Sequence, residues 1–361
     1  MKILIAANYD VGLYQFRREL IAQLLSAGHQ VTVSLPEGSL VGAIQEMGCD
    51  FVDAPVDRRG QNFVKDFKLL TYYRKILKAK KPELVITYTI KPNIYGGFMC
   101  RLLKIPYGVN ITGLGTAFQK PGLLRSMVVR MYQTALEKAQ VVFFENSANR
   151  QLFLDEKIVS ADQTVLLKGA GVNLERYFLC SYPQGEKVRF LFLGRVMREK
   201  GIYELFQAME QLHEEGHDCC LDVLGNYEEE DFQEIIRSKE EKGWLFYHGF
   251  QEDVRPFIEQ AHCFVLPSYH EGMANTNLEC ASMGRPLITS NIPGCQEAVI
   301  DGKSGYLCEV KNADSLYAAM KKFLALSREQ REAMGLAGRK HMEDTFDKKK
   351  VVAETMDGLG L

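Results

Sequence analysis

Nowhere in the 361 residues do eighteen apolar residues run together, so no segment reads as a transmembrane helix. Met1 to Ala7 is a strand-like run, too short for a signal peptide, and none is expected. Cysteine is present nine times but never as Cys-x-x-Cys, and the adjacent Cys219 and Cys220 have poor geometry for a shared bridge or metal. Cys220, Cys263 and Cys308 lie in apolar runs where a thiol behaves as a small hydrophobe. These features predict a reduced, cytoplasmic protein with no disulfide framework and no zinc site. A basic excess is also missing. The net charge of −2 argues against nucleic acid as a partner, because duplex binding requires a positive face. The loop after the first strand, Ala6 to Gly12, lacks G-x-G-x-x-G, which weakens a dinucleotide dehydrogenase reading. Short repeats and low-complexity segments are absent too.

What remains is the composition of an ordinary soluble protein, 46% hydrophobic and 25% charged, in a chain long enough for two domains. Short apolar runs alternate with helical patterns. Residues 3–6, 30–34, 84–87, 107–111, 141–144 and 165–168 read as buried strands, and a second series covers 188–193, 220–224, 245–248, 263–266, 287–290 and 305–308. The alternation predicts an α/β protein with two doubly wound, Rossmann-like parallel sheets. The segment 178–186, with Ser181, Pro183 and Gly185, is the expected linker. The expected domains are therefore 1–178 and 179–340, facing a cleft where ligands bind at the strand C-termini. Residues 341–361 are expected as a C-terminal helix packing back on the first domain.

The most informative stretch is Pro267 to Glu297. Cys263 to Leu266 reads as a buried strand, Pro267 to Asn275 as the loop beyond it, and the following residues as a helix with Asn275 or Thr276 as N-cap. Glu271 then lies at the crevice mouth and Glu279 about one turn down the helix. A helix N-terminus offers unpaired N–H groups and the positive end of a dipole, which suits a phosphate, and Glu279 is left to accept hydrogen bonds from ligand hydroxyls. At the first strand of the second half the chain reads Gly194-Arg195-Val196-Met197-Arg198-Glu199-Lys200-Gly201. Arg195 and Lys200 in such a loop can converge on one diphosphate, with Arg198 and Glu199 facing solvent.

These residues resemble the donor site of retaining GT-B glycosyltransferases, the large group often called family four. The matching elements are Glu271-x7-Glu279, Gly284-Arg285-Pro286-Leu287-Ile288, Ile292-Pro293-Gly294-x-x-Glu297 and Gly194-Arg195-x4-Lys200-Gly201. The resemblance implies that Glu271 contacts the donor sugar and Glu279 holds the ribose hydroxyls. The Gly272 loop and the amides near Asn275, Thr276 and Asn277 would meet the diphosphate, while Arg195 and Lys200 stabilise the leaving group. It further implies that Gly249-Phe250 and residues 252–254 hold the base and that Gly225 lines the same pocket. Where relatives carry a glycine pair in the first loop, this chain keeps only Gly12. Transfer would retain the α configuration by front-face attack, with Glu271 orienting the donor and the departing phosphate taking the acceptor proton. No Asp-x-Asp element of the metal-dependent type is present, and cationic groups aimed at the phosphate make a metal or other cofactor dispensable.

The acceptor half resembles the family less. Residues 106–115 hold no histidine where many members have one, leaving Asn110 or Thr112 to meet sugar or acceptor beside Gly113 and Gly115. Thr87 to Gly97 is similar to a segment of enzymes that extend lipid-diphosphate-linked oligosaccharides, including bacterial N-acetylgalactosaminyltransferases, and Lys91 would meet the acceptor phosphate. A helix over 63–81 carries Phe63, Phe67, Leu70, Tyr73 and Leu77 at helical spacing with seven cations, including Lys65, against Asp66. Lying on anionic lipid or packing on the sheet with a solvated basic face are both open to it, as to Leu123 to Lys138. His270, beside Glu271, either meets the donor sugar or simply packs.

The expected activity is transfer of a hexose or N-acetylhexosamine from a nucleoside-diphosphate sugar, UDP-linked, to a lipid-linked saccharide in surface polysaccharide or capsule synthesis. The enzyme would lie at the inner face of the membrane, in peripheral contact only. The rivals are a sugar-nucleotide epimerase of the same fold and a non-catalytic sugar-nucleotide sensor.

Overall fold

A computed structural model describes residues 1–56, 63–115, 118 and 122–361, with the side chains of 63–65 left aside. The chain forms two compact units, Met1–Ala170 with Lys348–Leu361, and Gly171–Asp347. Among the described residues no helix is long and apolar enough to cross a membrane. All nine cysteines are buried free thiols.

The first unit is built on β1 (Lys2–Ala6), β2 (Gln30–Leu35), β3 (Asp50–Asp53), β4 (Leu84–Tyr88), β5 (Tyr107–Ile111), β6 (Val141–Phe144) and β7 (Thr164–Leu166). They form a parallel sheet in the order β3-β2-β1-β4-β5-β6-β7. Strands covered on both faces are apolar at nearly every position, which is why β6 reads as an unbroken hydrophobic run and β4 as one interrupted only by Thr87. The sequence reading omitted β3. Its four residues, Asp-Phe-Val-Asp, form an edge strand exposed at both ends, too short and too polar to register as an apolar run.

The second unit carries β8 (Val188–Leu193), β9 (Cys219–Leu224), β10 (Leu245–Gly249), β11 (Cys263–Leu266), β12 (Leu287–Ser290) and β13 (Gly305–Cys308), parallel in the order β10-β9-β8-β11-β12-β13. Helix Ile202–Glu214 shows how helices cover this sheet. Ile202, Leu205, Phe206, Met209 and Leu212 recur at helical spacing and all are buried. In each unit the strand order reverses once, between β1 and β4 and between β8 and β11, and such a switch point leaves a crevice at the strand C-termini.

The expected linker 178–186 is not a free connection. Tyr182 is buried and its hydroxyl donates to the His262 carbonyl at 2.9 Å. The fully buried Arg285 donates to the carbonyls of Ser181 and Ile258 at 2.8 and 3.0 Å, tying the segment into the second unit. The division falls instead after Ala170. At the far end, the boundary expected at 340 lies inside helix Arg328–Thr345. A capping box of Ser327 and Gln330 starts this helix, and Gly335 lies so close to the Gly284 carbonyl that a Cβ would come within 2.0 Å of it. That packing holds the helix to the second unit through its last turn. Only helix Lys348–Leu359 belongs to the first, where Val351, Met356 and Leu359 join the core.

Candidate active site

The loops at the β8/β11 switch point are locked together through backbone contacts that only glycine permits. Gly201 has φ +70°, and a Cβ there would lie 2.1 Å from the Pro267 carbonyl oxygen. The loop after β8, with its single 3-10 turn Arg198–Lys200, therefore presses against the loop after β11. The Tyr269 amide donates to the Glu199 carbonyl at 2.9 Å across the same seam. On its other side the Glu271–Ala274 segment lies against Gly294, whose φ is +88° and whose missing side chain leaves room for the carbonyls of Glu271 and Gly272. Ala274 N–H donates to the Gly294 carbonyl at 2.7 Å, and Glu297 fixes that glycine by accepting from its amide at 2.8 Å.

This packing brings Lys200 to Glu271, Nζ to Oε1 at 2.5 Å, with the side chains only 18% and 13% exposed. Arg195 lies at the mouth of the same loop, 46% exposed, 3.7 Å from Glu228. The two cations expected to converge on a diphosphate thus each carry a carboxylate partner. A half-buried ammonium needs a counter-charge, and Glu271 supplies it. Arg198 is exposed, its guanidinium 5.2 Å over the Tyr203 ring.

Helix Asn275–Ser282 opens directly after this loop, with Ala274 as its N-cap and no capping side chain. The expected cap, Asn275 or Thr276, is displaced by one residue, because the bond from Ala274 to Gly294 fixes the chain where the helix begins. The amides of Asn275 and Thr276 make no backbone hydrogen bond among the described residues, as first-turn amides do. Asn277 departs from expectation. Its amide donates to the Ala274 carbonyl at 2.9 Å, and its buried side chain donates to Thr289 Oγ1 at 3.2 Å, inside the core.

Glu279, one turn down, is half-buried and hydrogen-bonded to the Tyr177 hydroxyl. Burial, and then the charge of Glu279, hold the Tyr177 phenol well above its ordinary value, so it stays protonated as a donor. Sequence reasoning missed Tyr177, which stands 102 positions away from Glu279 with no motif around it. Gly225 has φ +141°, and a Cβ would sit 1.9 Å from the Gly194 carbonyl oxygen. Its amide donates to Gly249 O and its carbonyl accepts from Tyr247, each at 2.8 Å, so Gly225 laces the loops after β8, β9 and β10 together. Phe250 follows β10 and is 52% exposed, and His270 is exposed.

In the first unit, Gly12 is the third residue of helix Asp10–Ser26, in the first turn after β1. Lys91 is not free for an acceptor phosphate. Its Nζ bonds Asp66 at 2.8 Å, the acid on the otherwise basic helix Phe63–Lys80. Asn110 is also committed to the fold. It is buried, its Nδ2 donates to Thr87 O at 3.3 Å, and its carbonyl accepts from Asn93 at 2.8 Å, joining the ends of β4 and β5. Thr112 stands in the bend just past β5, half-buried. On helix Phe63–Lys80, Leu69, Tyr73, Ile76 and Leu77 are buried in the core, which is the sheet-packed alternative, and Phe67 of the expected apolar stripe is left 68% exposed. The side chains of Phe63 and Lys65 lie outside the described residues.

Two all-parallel, Rossmann-like units define the class: this is the GT-B fold of glycosyltransferases. Anabaena HepE in complex with UDP and glucose shares that fold, with a TM-score of 0.84 over 100% of this chain and 99% of that one at 14% identity. The chain belongs to the glycosyltransferases described as "Glycosyl transferases group 1", matched over residues 181–341, and its first half matches the "Glycosyl transferase 4-like domain" over residues 12–169. Among curated relatives, it is 24% identical to the N,N'-diacetylbacillosaminyl-diphospho-undecaprenol alpha-1,3-N-acetylgalactosaminyltransferase of Campylobacter jejuni, over 88% of this chain and 87% of that one. It is 27% identical to the UDP-Gal:alpha-D-GlcNAc-diphosphoundecaprenol alpha-1,3-galactosyltransferase of Escherichia coli, over 73% and 71% respectively.

Proposed function

We propose that this glycosyltransferase moves a hexose or N-acetylhexosamine, with retention, from a UDP-sugar to a lipid-linked saccharide in surface polysaccharide synthesis, at the cytoplasmic face of the membrane and in peripheral contact with it. The observation that carries the reading is the Lys200–Glu271 pair, held one loop away from a helix whose first amides, at Asn275 and Thr276, are unbonded. Breaking the bond between the anomeric carbon and the diphosphate builds negative charge on the phosphate and positive charge on the sugar ring. Fixed cations and helix N–H groups aimed at that phosphate lower the barrier because they need no reorganisation as charge develops. Lys200 and Arg195 stabilise the departing diphosphate. Glu271 orients the donor sugar, Glu279 takes the ribose hydroxyls with Tyr177 steadying it, and Phe250 lies beside the base. Gly272 lets the loop pass close to the diphosphate. The relatives' named substrates, UDP-galactose and undecaprenol diphosphate-linked sugars, support the donor and acceptor classes. Thr112 and Gly12 stand at strand C-termini of the first unit, where an acceptor and the donor phosphates would be met.

A donor-by-acceptor screen, with membrane extract as the acceptor source, tests the reading. Transfer from a UDP-sugar to lipid, with the α configuration kept by NMR and lost in Glu271→Gln, is expected. Epimer formation from UDP-sugar alone, or an inverted product, would overturn it.

A further inference from the structure

Helix Leu123–Leu136 of the first unit flanks a pocket of about 610 Å³, within the roughly 300–1,000 Å³ typical of small-ligand sites. Its walls are apolar: Leu70 from helix Phe63–Lys80, Ile94 and Tyr95 from the π-helix Pro92–Gly96, Phe98 beyond it, and Met127 and Met131 opposite. Ser126 and Thr134 also line the pocket, and their hydroxyls are taken up by the carbonyls of Gly122 and Arg130 on their own helix. Asp66 takes the Tyr95 hydroxyl and the Lys91 ammonium together, so the Tyr95 ring is what faces the cavity. The π-helix follows Thr89, a β-branched residue at φ +72°, and both departures from regular backbone fall next to this wall. Arg130 lines the pocket and is exposed. It forms no ion pair among the described residues, whereas its helix neighbour Arg125 is paired with Glu156. Leu123, 92% exposed, and the exposed Leu124 and Met127 continue the apolar surface along the first turn of the helix.

An apolar cavity with one unpaired cation at its edge suits an amphiphile whose hydrocarbon chain ends in an anionic group. Unbranched methionine walls adapt to a methyl-branched chain. Resting on the acceptor class proposed above, we propose that this pocket takes the first isoprene units of a polyprenyl diphosphate-linked acceptor, with Arg130 meeting the diphosphate.

Calorimetry on the full chain with UDP saturating the donor site tests this, using farnesyl diphosphate as the probe. Farnesyl diphosphate is expected to bind roughly tenfold or more tighter than inorganic diphosphate, because only the former buries a chain. Met131→Trp, which fills the cavity, and Met127→Gln, at an exposed position that tolerates polarity, should weaken farnesyl diphosphate and leave UDP affinity unchanged. Equal binding of the two diphosphates, or unaltered farnesyl diphosphate binding in both variants, overturns the proposal. Variants that lose phosphatidylglycerol vesicles yet keep farnesyl diphosphate overturn it too, assigning the surface to bilayer lipid. The acceptor reading fails separately: farnesyl diphosphate binding with no transfer to any lipid-linked acceptor sinks that reading and leaves the pocket. Transfer to a lipid-linked acceptor with the same KM in Met131→Trp sinks the pocket alone.

Discussion

The Lys200 ammonium and the Glu271 carboxylate meet at 2.5 Å across 71 positions of sequence. Removing the lysine should weaken UDP and leave a half-buried carboxylate without its partner. A charge-assisted hydrogen bond contributes about 1.5–3 kcal/mol, which corresponds to a rise in Kd of roughly 10- to 150-fold. Calorimetric titration of Lys200→Ala with UDP checks this, and an unchanged Kd would remove Lys200 from the phosphate site.

Gly201 holds that pair together without touching it. In Gly201→Ala the new methyl meets the Pro267 carbonyl at 2.1 Å in a left-handed backbone, so the two loops must part. Transfer activity should fall by about tenfold or more, in line with the cost of a small misplacement of catalytic groups. Retained activity would show that the loops tolerate separation.

Arg285 is fully buried and donates to Ile258 O and Ser181 O. Arg285→Leu takes away the donor to Ser181 O and one of the two donors to Ile258 O, which keeps the Ala261 amide, and should destabilise the second unit by about 1–3 kcal/mol. Urea unfolding followed by Trp244 fluorescence, a probe within this unit, measures it. A variant as stable as the parent would mean that the Ser181 segment does not depend on this arginine.

His262 gives the fold a pH dependence of defined sign. Burial, then the cations Arg331, Arg285 and Arg189, push its pKa down to about 4. Its Nδ1 accepts from the Arg189 amide at 3.2 Å and its Nε2 is buried without a partner, so the folded state requires the neutral ring. Unfolded, the ring titrates near its ordinary value of about 6.5. Below that pH the unfolded chain binds a proton that the folded one refuses, so stability falls from about pH 6.5 to about pH 4 and then levels. His262→Gln should flatten this part of the curve in denaturant titrations at stepped pH, and an unaltered slope would assign it to other groups.

Tyr177→Phe removes the hydroxyl that steadies Glu279 and keeps the ring. The donor KM should rise about 3- to 10-fold, the worth of roughly 1 kcal/mol, with kcat little changed. A kcat loss at constant KM would place Tyr177 in the chemistry instead.

The hydrophobic pattern carried most of the architecture, since a strand buried on both faces is apolar at nearly every position. All six expected strands of the second unit formed, four with the same bounds: β8, β11, β12 and β13. The edge strand β3, polar at both ends, left no such trace. Motif spacing put Glu271 and Lys200 in the loops at the β8/β11 switch point, a few residues past a strand end, and there the structure pairs them. It did not reveal that Asn277 and Asn110 point into the fold, since a polar side chain beside a strand end serves a ligand or its own backbone equally well by sequence.

What the sequence determined by itself was therefore local and periodic: which runs lie inside sheets, where glycines mark the loops, and which charges stand beside strand ends. Tertiary structure decided the pairings. Lys200 with Glu271, Lys91 with Asp66 and Tyr177 with Glu279 join residues 71, 25 and 102 positions apart. Such partners are chosen by which loops pack together and by the need of each buried charge for a counter-charge, and no local pattern encodes that choice.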